Sequence, residues 1–206
     1  MIIAAPYAGP RLGMFGGAFD PPHLAHVALA QAAIGQLQLD QLRIFPTGQA
    51  WHKPQAMSAP EHRLAMCRLA FGQLPHAVID ERELRRPGAT YTIDTLRELK
   101  AEHPGAELFL VIGEDQAVAL TRWREWEAIL ELAVICMAAR LSAQANAGAA
   151  PAGLPAQAKV RLLRLPHMPE NATEVRQRAA AGADIAHLVS PPVASYIEQH
   201  HLYQAA

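Results

Sequence analysis

The amino-acid sequence predicts an α/β fold in which a doubly wound, largely parallel sheet carries helices on both faces. Three observations point to it. Short apolar, β-rich runs alternate with stretches of helical period along the chain. Two of the helical stretches open on recognisable start signals. The 206 residues, 51% hydrophobic and 18% charged, suit one globular domain with a substantial core. Units of this kind cross over right-handedly and bind ligands at the carboxyl ends of their strands, where the strand order reverses.

The first strand spans 12–15 and closes on Gly16-Gly17, where glycine permits positive φ and close approach to a ligand. Pro21 and Pro22 then fit the first turn of a helix over 24–35, where a missing N–H leaves no gap. The second strand is 42–46. Ser58 and Glu61 have capping-box spacing, with Pro60 in the first turn, and mark a helix over 60–74. Strand 77–80, helix 93–103, strand 108–112, helix 123–130 and strand 133–137 continue the alternation. From 138 to 159 the chain is rich in alanine and interrupted by proline and glycine; it reads as a mobile surface loop within a single domain over 1–206. Strand 160–165 and helices 173–181 and 191–200 complete the chain, with Asn171 and Glu174 repeating the capping-box spacing.

Charge and composition exclude several classes. Eighteen Lys and Arg against 19 Asp and Glu give a net charge of −1, with no basic run, so a nucleic-acid polymer is not the expected partner. A single nucleotide needs only a local anion site and stays open. Cys67 and Cys136, without CxxC spacing, read as buried free thiols of a reducing compartment. The N-terminal stretch lacks the pattern of a signal peptide and no apolar run suits a membrane span, so the expected location is cytoplasmic. Self-association into a homo-oligomer is left open.

The stretch "GMFGGAFDPPHLAH", 13–26, joins a strand end, two glycines, two prolines and two histidines. His23 and His26, three residues apart, share one face at the start of a helix, where unpaired N–H groups and the helix dipole favour phosphate. The pattern is not GxGxxG, so no dinucleotide fingerprint is read. Histidines that cap or pack fit the spacing as well, and a metal fits it if a third ligand comes from elsewhere.

The string "GGAFDPPHLAH" resembles the GG-T-FDP-xHxGH signature of the nucleotidyltransferases that move AMP or CMP from a nucleoside triphosphate. "WHKP", "RRPGATYTIDTLREL", "VIGEDQAVALTRWREWEAIL", "NATEVR" and "VASYIEQHHLY" follow in order, and together the blocks resemble the bacterial nicotinate-nucleotide adenylyltransferases over nearly the whole chain. The departures are Ala18 where the family usually has threonine, Ala25 where it has glycine, and Asn171-Ala172 in place of two small hydroxyl or alanine residues.

The resemblance implies a Rossmann-like fold, ATP and nicotinic acid mononucleotide as substrates, and Mg²⁺ held mainly by ATP phosphates. It puts His23, His26 and Arg176 in the catalytic step. Gly16, Gly17, Ala18, Phe19, Asp115 and Thr173 join them around ATP. His52, Lys53, Thr92, Trp123 and Arg124 fall to the mononucleotide, Trp123 against the ring and backbone N–H groups near Thr92 and Arg124 on its carboxylate; Trp126 is expected in the core. No resident metal ligand is implied. A sibling adenylyl- or cytidylyltransferase with another phosphate acceptor, and a nucleotide sensor with decayed catalysis, remain as alternatives.

Overall fold

In the computed structural model, which describes residues 9–50, 57–140 and 154–204, the sheet forms as the alternation predicts. Its strands are β1 (Arg11–Gly17), β2 (Gln41–Pro46), β4 (Ala77–Ile79), β6 (Glu107–Ile112), β7 (Ala133–Arg140) and β8 (Val160–Leu165). They lie in the order β4-β2-β1-β6-β7-β8, every neighbouring pair parallel. The order reverses between β1 and β6, which opens a crevice at their carboxyl ends.

Both faces of the sheet are covered, and side-chain alternation sorts the strands' residues between two cores. Leu12, Met14, Leu108, Leu110, Ile112, Ile135 and Met137 face one side, where α4 (Thr92–Glu102) contributes Ile93, Leu96 and Leu99, and α6 (Trp126–Leu132) contributes Ile129 and Leu130. Phe15, Phe109, Val111 and Cys136 face the other, against Leu29, Ala30, Ala33 and Leu37 of α1 (Leu24–Leu37) and Cys67 and Phe71 of α2 (Pro60–Phe71). A third cluster joins Met66 of α2 to Val175 of α7 (Ala172–Ala180) and to Val193 and Ile197 of α8 (Pro191–Gln199). Both thiols are free and buried. Burial pushes the Cys136 thiol up to about 12 and Cys67 in the same direction, so neither is a ready nucleophile.

Several local expectations are corrected. Gly16 and Gly17 continue β1, paired with Phe45 and Pro46, and neither has positive φ. The left-handed residue is Phe19, at φ 46. Gly17 is needed for another close approach, because a Cβ there would lie 3.0 Å from the Phe19 ring. Pro21 and Pro22 precede α1, whose N-cap is His23. Ser58 does not cap α2: its N–H donates to Asp20 Oδ2 at 3.0 Å and the N-cap is Ala59, with Pro60 in the first turn as expected. Asn171 does cap α7, accepting the Glu174 N–H at 2.9 Å.

The predicted helix 123–130 is broken. Trp123 is extended after a 3-10 turn, Leu120–Arg122, and Glu125 is left-handed at φ 51, so α6 starts only at Trp126. β7 runs on through Arg140, into the segment read as loop. At the far end of that segment Leu154 is buried against the first core, while 141–153 lie outside the described residues.

Besides the 3-10 turn, four short elements among the described residues went unforeseen. Two are α3 (Arg82–Arg85) and α5 (Glu114–Val118); the others are strands β3 (Gln49–Ala50) and β5 (Ala89–Thr90), which pair in parallel. Gly48 is required here, since a Cβ would lie 2.1 Å from the Glu83 carbonyl oxygen. This small sheet joins the loop after β2 to the loop before α4 at the crevice.

Candidate active site

A groove of about 710 Å³ opens at the carboxyl ends of β1 and β6. The starts of four helices reach it: His23 and His26 of α1, Thr92 of α4, Gly113 and Glu114 of α5, and Ala172 and Thr173 of α7. Each start presents N–H groups without intrahelical partners and the positive end of a dipole. The fold thus brings several helix starts to one groove, beside the carboxylates Asp20, Glu83, Glu114 and Asp115, and such starts suit phosphate.

The two histidines meet at one end. His23, 8% exposed, caps α1 in extended conformation, and its ring lies 3.7 Å from that of His26, centroid to centroid, tilted by 33°. The His23 N–H donates to His26 Nδ1 at 3.2 Å, so a neutral His26 carries its proton on Nε2. Burial brings the His23 imidazole down to about 4, so it is neutral near pH 7. Its buried Nδ1 faces the N3 backbone N–H of α1 in a capping-box arrangement without reaching full hydrogen-bond geometry.

Arg176 closes the same end from α7. Its Nη1 donates to the Asp20 carbonyl at 2.8 Å and its Nη2 to Thr173 Oγ1 at 3.2 Å, which fixes the guanidinium plane at the groove wall. Gly16, Gly17, Ala18 and Phe19 line the floor beside it, although the Phe19 ring belongs to the core, edge-on to Phe15 at 5.3 Å and to Phe71 at 5.4 Å. Asp115, in the first turn of α5, lines the groove on the β6 side.

At the other end stand Thr92, Thr90, Trp123 and Glu83. Trp123 is half-buried and packs on the first core beside Tyr91 while still lining the groove; Trp126 packs on that core and does not line it. The Arg124 side chain does not line the groove: its guanidinium lies 4.8 Å over the Tyr91 ring and pairs with Glu125, which leaves the expectation for the backbone N–H groups near Arg124 untouched. His52 and Lys53 lie outside the described residues.

The groups that sequence reasoning missed are Glu83 and a buried set beneath the floor, Asp20, Arg63 and Tyr203. Glu83 is 4% exposed and accepts the Thr95 hydroxyl at 2.8 Å, while Thr95 Oγ1 accepts Arg86 Nη1 at 3.1 Å. Burial pushes the Glu83 carboxyl up to about 7, against the Arg86 charge, with Glu98 and Asp80 adding to the rise. Its stabilising contribution is thus complete below the unfolded value near 4.5 and is lost as pH rises through 7. Glu83→Gln is expected to gain on the wild type by roughly 3 kcal/mol between pH 4.5 and pH 8, at about 1.36 kcal/mol per pKa unit. Thermal unfolding of both proteins across that range checks it, and a constant gap between them contradicts it.

Among the described residues no group of three or more His, Cys, Asp or Glu is arranged to hold a metal. The Asp20 carboxylate, nearest to the histidines in sequence, is taken up by Ser58 N–H and by the Tyr203 hydroxyl. The donors at that end, two imidazoles, a guanidinium and a threonine hydroxyl, are partners for phosphate.

Comparison with known proteins agrees with this geometry. The cytidylyltransferase-like family model matches residues 14–178. A protein of Albidiferax ferrireducens named probable nicotinate-nucleotide adenylyltransferase is 52% identical over 95% of this chain and 99% of its own. One of Bordetella petrii with the same name is 40% identical over 94% and 99%. The solved Plasmodium falciparum nicotinic acid mononucleotide adenylyltransferase complexed with NaAD superposes with a TM-score of 0.77 over 94% of this chain and 97% of its own, at 18% identity, a likeness of fold.

Proposed function

The chain belongs to the cytidylyltransferase-like family and, within it, to the nicotinate-nucleotide adenylyltransferases, and from that premise we propose how its groove performs the reaction. The enzyme transfers AMP from ATP to nicotinic acid mononucleotide, giving nicotinic acid adenine dinucleotide and pyrophosphate. One observation carries the reading: a stacked histidine pair and a fixed arginine face one end of a groove whose other end offers an aromatic ring and the start of α4.

A phosphate oxygen of the mononucleotide attacks the α-phosphorus of ATP in line, and the bond to the β-phosphate bridging oxygen breaks. That nucleophile is already ionised near neutral pH, so no residue has to remove a proton. Catalysis is positioning and charge stabilisation. His23 and His26 donate to the triphosphate, and a seated polyanion favours the His23 imidazolium that burial disfavours. Arg176 and Thr173 hold the phosphates from the α7 side, and Asp115 accepts from the ATP ribose. Mg²⁺, held mainly by the ATP phosphate oxygens beside His23, His26 and Arg176, would supply further neutralisation of the triphosphate charge. Thr92 and Trp123 receive the nicotinate ring, with His52 and Lys53 toward its phosphate. Residues 1–206 act as one catalytic unit. A cytoplasmic setting supplies ATP and suits the two unoxidised thiols.

Two measurements test this. Pyrophosphate release should require ATP and nicotinic acid mononucleotide together; release from ATP alone contradicts the reaction. Arg176→Lys should lower kcat/KM for ATP by about tenfold or more, because an ammonium cannot keep the bonds to Asp20 and Thr173 and still offer a planar fork. Wild-type constants would return Arg176 to a surface role.

A further inference from the structure

The segment after α8 is held in an unusual shape. His201 and Tyr203 are both left-handed, at φ 49 and 67, a conformation that bulky side chains adopt only where their surroundings fix it. The Leu202 N–H donates to the Ile197 carbonyl at 3.0 Å, folding the tail back on α8. The result is to carry the Tyr203 hydroxyl to Asp20 Oδ1 at 2.7 Å, across 183 residues of chain.

Asp20 is a junction. Its second carboxylate oxygen takes the Ser58 N–H at 3.0 Å, and its carbonyl takes Arg176 Nη1 at 2.8 Å. Arg63, 1% exposed, ties the same turn from below, donating to the Ala18 carbonyl at 3.0 Å and to the Ser58 carbonyl at 3.1 Å. Neither Tyr203 nor Arg63 lines the groove. They touch the turn that does, immediately before His23.

We propose that Tyr203 is a positioning residue for the phosphate-binding end of the groove: through Asp20 it fixes the carbonyl that aims Arg176 and the turn from which His23 starts. The proposal rests on the adenylyl-transfer reading for the identity of the ligand. Burial pushes the Tyr203 phenol above its ordinary range, so it stays an O–H donor at every working pH.

The test is Tyr203→Phe, which keeps the ring and removes one donor. Loss of one hydrogen bond to a buried carboxylate corresponds to about a tenfold change. The expected result is a kcat about tenfold lower and an unchanged KM for the mononucleotide, with binding of a non-hydrolysable ATP analogue weakened several-fold in calorimetry. In an Arg176→Lys background the same change should add little, since both act through Asp20. Unchanged kcat and analogue binding in folded Tyr203→Phe, or fully additive losses, would overturn the proposal. Thermal unfolding of Tyr203→Phe guards against a merely destabilised protein: with kcat read well below the transition the roughly tenfold loss should persist, and recovery of wild-type kcat there also overturns the proposal. The analogue measurement needs no acceptor, so it separates failure of this inference from failure of the reaction assignment.

Discussion

Alanine in place of either His23 or His26 is expected to lower kcat by about 10²–10³, the usual loss when one donor aimed at developing charge is removed. The fold should survive. Each change removes one half of the capping box that opens α1, about 1 kcal/mol for a cap, and His26→Ala also gives up ring contacts with Phe15 and Phe19. Each ring stacks on the other, so the two losses should be less than additive when combined. Steady-state pyrophosphate release, with unfolding followed in parallel, reads both quantities. Near-normal kcat in both single variants with intact folds would remove the histidines from the catalytic step.

The sheet and its larger helices were legible because their signals are local. Strands such as 108–112 are apolar on both faces, and helices such as α1 and α4 are long enough for their period to register. The histidine pair could be placed at a helix start because that start is itself a local pattern, while Thr173 and Arg176 were assigned through the family resemblance. What was missed depends on partners far along the chain. β3 and β5 are two residues each and exist by pairing with one another. α3 and α5, of four and five residues, are shorter than one clear hydrophobic stripe. Ser58 had the capping spacing, but its own N–H is claimed by Asp20, 38 residues earlier. Arg63 reads in sequence as one more helix arginine, and only the fold shows it buried beneath Ala18.

Recognition of the acceptor gives the other large effect, because the two pyridine mononucleotides differ only in a carboxylate against a neutral amide. Thr92 opens α4 on the groove wall beside Trp123, and the Tyr91 N-cap supplies no side-chain bond to the first-turn N–H groups. Those donors make charge-assisted bonds to a carboxylate. An amide turned toward them sets its NH₂ against N–H groups, at about 1–3 kcal/mol for each buried group left unpaired. Two such mismatches correspond to a discrimination on the order of 10²-fold or more. The measurement is kcat/KM for nicotinic acid mononucleotide and for nicotinamide mononucleotide, with ATP and Mg²⁺ matched. The expected ratio is at least about 10² in favour of the acid; equal values, or a preference for the amide, would contradict the assignment even if adenylyl transfer itself were observed.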